Sequence, residues 1–337
     1  MVRFKSDQNK VLIAYESGTY GVTSGNAYWV GQVTDASIEE AQNLLVNRYL
    51  GTASRNYGMI AQGPRDITGT ITYHPSDMKL VFFAIGSVAS SQSAKTGKHT
   101  ATEIGTSNWL NPFARGTGAL NGPVSFTIED SKSQPIADKN SIRRVKGAVI
   151  NTATLTATQG EKVTVEIGYN AQDCVYTSGN TGFGVVNNIL SGVTPYLWNN
   201  CSLTLAGSTI PTAKEISLEI NNNIESPHYL NGSRVASTPF VGNKDYNLSI
   251  TMDADAEVTN FMYGIYQANT AFNGTFDLNA DVATTGSKHT TFILSGCKIN
   301  TFELPSPSEG INESTLEILP QSISATEYSI GSSYTPW

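Results

Sequence analysis

Gly147-Ala-Val-Ile-Asn-Thr-Ala-Thr-Leu155 returns 149 residues later as Gly296-Cys-Lys-Ile-Asn-Thr-Phe-Glu-Leu304, with Gly, Ile, Asn, Thr and Leu at unchanged spacing. Shortly after each, Val163-Thr-Val-Glu166-Ile167 is answered by Ser314-Thr-Leu-Glu317-Ile318. Upstream, Asn121-Gly-Pro-Val-Ser-Phe126-Thr-Ile128 stands beside Asn273-Gly-Thr-Phe276-Asp-Leu278, and both alternate as strands do. Further out, Gly63-Pro-Arg-Asp66 with Ile71-Thr72 matches Gly242-Asn-Lys-Asp245 with Ile250-Thr251, Lys244 replacing Arg65. Tyr49-Leu50 and Ser54-Arg55 recur as Tyr229-Leu230 and Ser233-Arg234.

Between these blocks Met78, Val81, Phe82 and Ile85 fall at i, i+3, i+4 and i+7, and so do Val258, Phe261, Met262 and Ile265. That spacing predicts one apolar stripe on a short helix in each half. Ser76 or Asp77 is the N-cap candidate of the first, Asp253 or Asp255 of the second. Blocks repeated in one order predict two copies of one unit. Runs rich in Thr, Val and Ile and bounded by Gly, Pro or Asn read as half-buried antiparallel strands. The expected fold is therefore mainly β, two tandem copies of a β-sandwich or barrel unit, each flanked by a short α-helix. Asp35 to Leu45 reads as a helix on composition, but its repeat partner Ile216-Ser-Leu-Glu-Ile220 reads as a strand, and the strand is preferred.

The expected boundaries are 1–172 for the first unit, 173–193 for a Gly/Ser/Asn-rich connector and 194–337 for the second unit. About 36 residues, Gly86 to Asn121, separate the helix from the next strand in the first unit, against fewer than ten in the second. This insertion at 86–121 is rich in Ser, Gly and Thr and ends near Trp109, Leu110 and Phe113. Long loops are tolerated or functional, and these three apolar residues are candidates for a contact between subunits or between stacked rings.

The 337 residues are 39% hydrophobic but only 15% charged, against roughly 25% charged in soluble proteins generally. With 21 Lys and Arg against 28 Asp and Glu, the net charge of -7 has the wrong sign for gripping DNA phosphates. No apolar run reaches membrane length, and the start lacks a signal-peptide core, so a chain made in the cytoplasm is expected. Cys174, Cys201 and Cys297 show no metal or redox spacing and read as small buried hydrophobes.

Catalytic patterns are missing. His74, His99, His228 and His289 are scattered, with none at metal spacing, and Lys98-His99-Thr100 and Lys288-His289-Thr290 read as surface turns. No Gly-x-Ser-x-Gly elbow occurs. Gly182-Phe-Gly184 lacks the third glycine of a dinucleotide loop, and Asp253-Ala-Asp255-Ala-Glu257 lacks the EF-hand glycine, reading better as an acidic helix start. No catalytic, cofactor or metal residue is assigned, and no enzyme is expected.

Tyr15-Glu16-Ser-Gly-Thr19-Tyr20-Gly21 followed by Tyr28-Trp29, the run Gly63 to Thr72 with the apolar helix ending at Gly86, and Ser217-Leu-Glu-Ile-Asn-Asn-Asn-Ile224 resemble the tail tube proteins of long-tailed phages and related archaeal viruses. The resemblance implies a virion protein whose β units join into rings, stacked into a hollow tail tube for DNA ejection, assembled in the host cytoplasm. A duplicated member implies a homotrimer ring with pseudo-sixfold symmetry. Implied partners are other copies of itself and the tape measure, distal tail and terminator proteins, with DNA passing unbound and no membrane. Two alternatives from the sequence are a baseplate, tip or carbohydrate-binding β-domain, and a polysaccharide-active enzyme.

Overall fold

The computed structural model describes residues 9–16, 20–48, 56–93, 96–102, 124–132, 141–178, 195–279, 289–306, 309 and 311–330. The first half holds β1 (Lys10–Glu16), β2 (Thr23–Trp29), β3 (Gln32–Ala41), β4 (Leu45–Asn47), β5 (Met59–Ala61), β6 (Asp66–His74), α1 (Lys79–Ile85), β7 (Ser87–Ser93), β8 (Thr96–Thr102), β9 (Phe126–Lys132), β10 (Ser141–Thr158), β11 (Thr164–Ala171) and β12 (Asp173–Ser178). The second holds β13 (Cys201–Leu205), β14 (Ser208–Thr209), β15 (Ala213–Asn221), β16 (Ile224–Glu225), β17 (Phe240–Val241), β18 (Asp245–Asp253), α2 (Ala256–Ala268), β19 (Phe272–Asn279), β20 (His289–Glu303), β21 (Glu313–Leu319) and β22 (Ser322–Ile330). Among the described residues the chain is thus mostly β with two α-helices.

One large antiparallel sheet runs through both halves in the order β3-β6-β11-β10-β15-β18-β21-β20. Two smaller sheets back it, β2-β1-β9-β10-β12 and β14-β13-β19-β20-β22-β8-β7. The long strands β10 and β20 belong to a small sheet by their first parts and to the large sheet by their second. Both turn at a glycine with φ +62°, Gly147 and Gly296. A Cβ at Gly147 would lie 2.8 Å from the Tyr20 ring and Gln172, and one at Gly296 would lie 2.6 Å from Gln321, so the bend excludes side chains at both places.

The motif near the N-terminus secures the first bend. Glu16, 2% exposed, accepts from the backbone N–H of Gly147 at 2.6 Å and of Gly21 at 2.8 Å, and from Thr127 Oγ1 at 2.9 Å, while Tyr20 donates to the Gly147 carbonyl. Burial, then the Glu16 charge, pushes the Tyr20 hydroxyl pKa far up, so it stays a donor. In the second half Asn273 Oδ1 takes the Gly296 N–H instead.

Pairing registers sharpen and correct the repeat. Bulges fall between Ile150 and Thr152 and between Ile299 and Thr301, and between Val33 and Asp35 and between Ala213 and Glu215. These fix Asn151 opposite Asn300 in the repeat, and Asp66 opposite Asp245. Two sequence alignments slip, however: Phe126 corresponds to Phe272, since they face Ala148 and Cys297, and Glu166 corresponds to Thr315. A period-2 pattern looks the same after a shift of two or four residues. Asp35 to Ala41 is strand, as preferred. Residues 173–178, read as connector, form β12 against β10. Lys98 to Thr100 and His289-Thr290 are not surface turns: they lie in strands on either side of β22, because Thr-rich alternation there pairs into the sheet. Cys174 and Cys297 are buried, and Cys201 is half-buried.

Candidate functional site

The large sheet has one greasy face and one polar face. Ile71, Leu155, Ile167, Leu218, Leu248 and Ile318 are all at most 1% exposed and form the core with the helices. On the other face one row across the strands reads Asp35, Thr72, Glu166, Thr154, Glu219, Asn247. The next reads Thr164, Thr156, Ser217, Ser249, Glu317, Thr301. Neither row holds Lys or Arg. Lys214, at the β15 bulge, is tied to Asp253 and Glu313, and Lys298 stands beyond the β20 bulge.

Where the halves meet, β10 pairs β15 from Thr152 opposite Asn221 to Thr158 opposite Glu215. Helix α1 sits in this joint and is buried at every residue. Its sequence, Lys-Leu-Val-Phe-Phe-Ala-Ile, is apolar after Lys79 and has no face to offer water; Met78 occupies the N-cap position, and Asp77 Oδ1, one residue earlier, accepts from Lys79 N at 3.2 Å. The second half adds bonds at both ends. Buried Glu327 accepts from Met78 N, Asn222 Nδ2 donates to the carbonyls of Ala84 and Ile150, and Lys244 Nζ donates to the Ile85 carbonyl. Tyr196, also wholly buried, donates to Glu327 and meets Thr290.

The β16–β17 arm extends the joint along the end of the sheet. Ile224 N donates to Asn151 Oδ1 and its carbonyl accepts from Asn170 Nδ2, while its side chain packs on Val149. Further on, His228 Nε2 lies 2.7 Å from Asp66 Oδ1, Arg234 Nε donates to the Gly63 carbonyl, and Arg65 N donates to the Arg234 carbonyl. A third clasp comes from the insertion, whose strands β7 and β8 pair with each other and add to β22. The remaining insertion residues, Trp109, Leu110 and Phe113 among them, lie outside the described residues.

At matching places on the outer flanks these contacts have no counterpart among the described residues. β3 pairs only β6, and the second part of β20 pairs only β21. Helix α2 caps itself, Asp255 accepting from Glu257 N and Val258 N, as the sequence offered, and Asn269 closing its end in the left-handed conformation. It leaves Phe261, Tyr263 and Tyr266 about two-fifths exposed, with both tyrosines against Phe302. The β4–β5 arm carries exposed Leu44, Leu45, Val46, Met59 and Ile60. Sequence reading found neither arm; exposed apolar residues flanking Tyr49-Leu50 and Tyr229-Leu230 were the signal for both.

No group of three or more His, Cys, Asp or Glu is placed to hold a metal among the described residues, and no helix there is long and apolar enough to cross a membrane. Burial pushes the thiol pKa of Cys174 and Cys201 up to about 12 and of Cys297 to about 11, which leaves them protonated and unreactive.

The large sheet is continuous through the joint between the halves and, among the described residues, its outer strands β3 and β20 each pair with one neighbour. The family model described as phage tail tube protein matches residues 6–293, and the chain belongs to that family, a virion tail component that assembles into the tube with other tail proteins. No curated protein matches the chain.

Proposed function

We propose that three chains close into a ring, that rings stack into the tail tube, and that viral DNA passes through the bore. The chain is then two tandem units, the first running to β12, and the ring has six units with pseudo-sixfold symmetry. The observation that carries this reading is the β10–β15 joint, a worked example of how one unit continues the sheet of another. Applied between chains, it pairs the free edge of β20 with the free edge of β3, a head-to-tail contact that closes when the circle is complete. Its register puts Thr301 opposite Ala41, Phe302 opposite Glu40 and Glu303 opposite Glu39 of the next chain.

The polar face lines the bore in this arrangement. Hydroxyls and carboxylates give a passing duplex no phosphate-gripping cations, each of which would add salt-sensitive affinity along the whole length. The tube works as a conduit with no catalytic step, joined at its ends to the terminator, distal tail and tape measure proteins. Cryo-microscopy of concentrated protein tests the reading: rings of three chains are expected, and rings of six chains or a persistent monomer overturn it. Tight, salt-sensitive DNA binding by the tubes would overturn the conduit.

A further inference from the structure

The second half carries a cavity of about 460 Å³ whose lining includes Asp245, Asn247, Asn300, Glu317 and Leu319. By the repeat register these stand where Asp66, Thr68, Asn151, Gly168 and Asn170 stand in the first half. There the corresponding surface is filled: Asn151 and Asn170 hold the Ile224 backbone and Asp66 holds His228, all from the β16–β17 arm. The equivalent place in the second half is open.

We propose that this cavity receives the β4–β5 arm of a second copy of the chain, with Leu44 seated as Ile224 is and Arg48 paired with Asp245. The proposal rests on the ring reading above and names the contact that locks each joint. Leu44 and Arg48 occupy the places of Ile224 and His228 in the repeat. Asp66 uses Oδ2 for Asn43 and Oδ1 for His228. Asp245 repeats the first bond, accepting from Asn223 at Oδ2, and among the described residues no donor reaches its Oδ1. Asn247 Oδ1, on the cavity wall, is buried without a partner among the described residues, a group that docking would satisfy.

The exchanges between the halves are chemically matched. His228 becomes Arg48, a permanent cation opposite the kept carboxylate. Asn170 becomes Leu319, so one hydrogen bond gives way to apolar contact between Leu319, 46% exposed, and Leu44, 53% exposed. Both are exposed in the single chain and both are covered on docking. Val149 becomes Lys298, whose aliphatic stem can lie along Leu44.

Cysteine pairing in the full chain tests this directly. Leu44→Cys with Lys298→Cys mirrors the internal Val149 and Ile224 contact, and both positions are exposed. The three native thiols are protonated and do not compete. Under mild oxidation the double variant should run as ladders of two and three chains without reductant, while Leu44→Cys alone with Lys10→Cys, a pair outside the cavity, should not. In parallel, Arg48→Asp should lower the fraction of protein in tubes by about tenfold, the equivalent of ~1.4 kcal/mol, and Asp245→Arg added to it should restore assembly. If wild-type tubes form but the pair stays uncross-linked, or Arg48→Asp assembles normally, the docking proposal fails while the tube reading stands. If the wild-type chain forms neither rings nor tubes, the tube reading itself fails.

Discussion

Helices α1 and α2 sit at the same place in a repeated fold and have opposite characters. The first is seven residues long, buried at every residue, and held at both ends by groups from the other half of the chain, with Asp77 adding a local bond to Lys79 N. The second is thirteen residues long, caps itself, and shows aromatic side chains to solvent. The difference lies in what surrounds them: α1 is inside a finished joint, and α2 is on a flank. A helix that borrows its caps depends on its neighbour for existence, whereas one that brings its own caps survives until a neighbour arrives.

The largest test of that contrast is truncation of one buried and one exposed aromatic residue. Phe82→Ala should destabilise the unassembled chain by about 3–5 kcal/mol, read by denaturant unfolding. Phe261→Ala should leave the unassembled chain within about 0.5 kcal/mol of the parent and reduce tube formation instead. Next, Asn222→Ala removes both donors from the Ala84 and Ile150 carbonyls and should cost about 1–3 kcal/mol in the same assay. Gln42→Ala, at the matching exposed place before the β4–β5 arm, should not alter the unfolding midpoint of the single chain.

A smaller effect concerns the flanks alone. In the proposed register Glu303 faces Glu39 of the next chain, where the internal joint has Thr154 facing Glu219. Glu303→Thr relieves a like-charge pair and should strengthen assembly by about 0.2–1 kcal/mol, seen as a lower critical concentration for tubes and a weaker salt dependence. The smallest effect is a pH dependence at the base of the β4–β5 arm. Burial raises the Glu40 carboxyl pKa, but the hydrogen bond and charge of Arg65 more than reverse it, so the net shift is downward. A lowered carboxylate pKa adds stability above its unfolded value of about 4.3 and loses it as pH falls through the folded value. Glu40→Gln should lower stability slightly at neutral pH, flatten the acid limb of the stability curve, and converge with the parent at low pH.

Much of this contrast was legible in the residues. The Gly147 and Gly296 blocks marked corresponding strands in the two halves but not their bend, which lies in the left-handed backbone of the two glycines. The helix stripes were visible as well, yet they could not show which helix would be covered, since that depends on strands more than a hundred residues away. Alternating strands misaligned by two and four residues for the reason that a sheet repeats every second position. The β7–β8 hairpin read as loop: Ser87-Val-Ala-Ser-Ser-Gln-Ser has little apolar content, and what makes it a strand pair is β22, near the other end of the sequence. The paired sites that hold the arms were invisible to spacing arguments, being assembled from β10, β11 and β6 at once.

That hairpin also sets a timetable. Thr102 is paired with Ser324, and the 221 residues between them take about 10–45 s to synthesise at roughly 5–20 residues per second. Throughout that interval the hairpin exists with one unsatisfied edge, the kind of surface that recruits strands from other molecules. The arrival of β22 is therefore the moment at which a nascent chain stops being adhesive on that side.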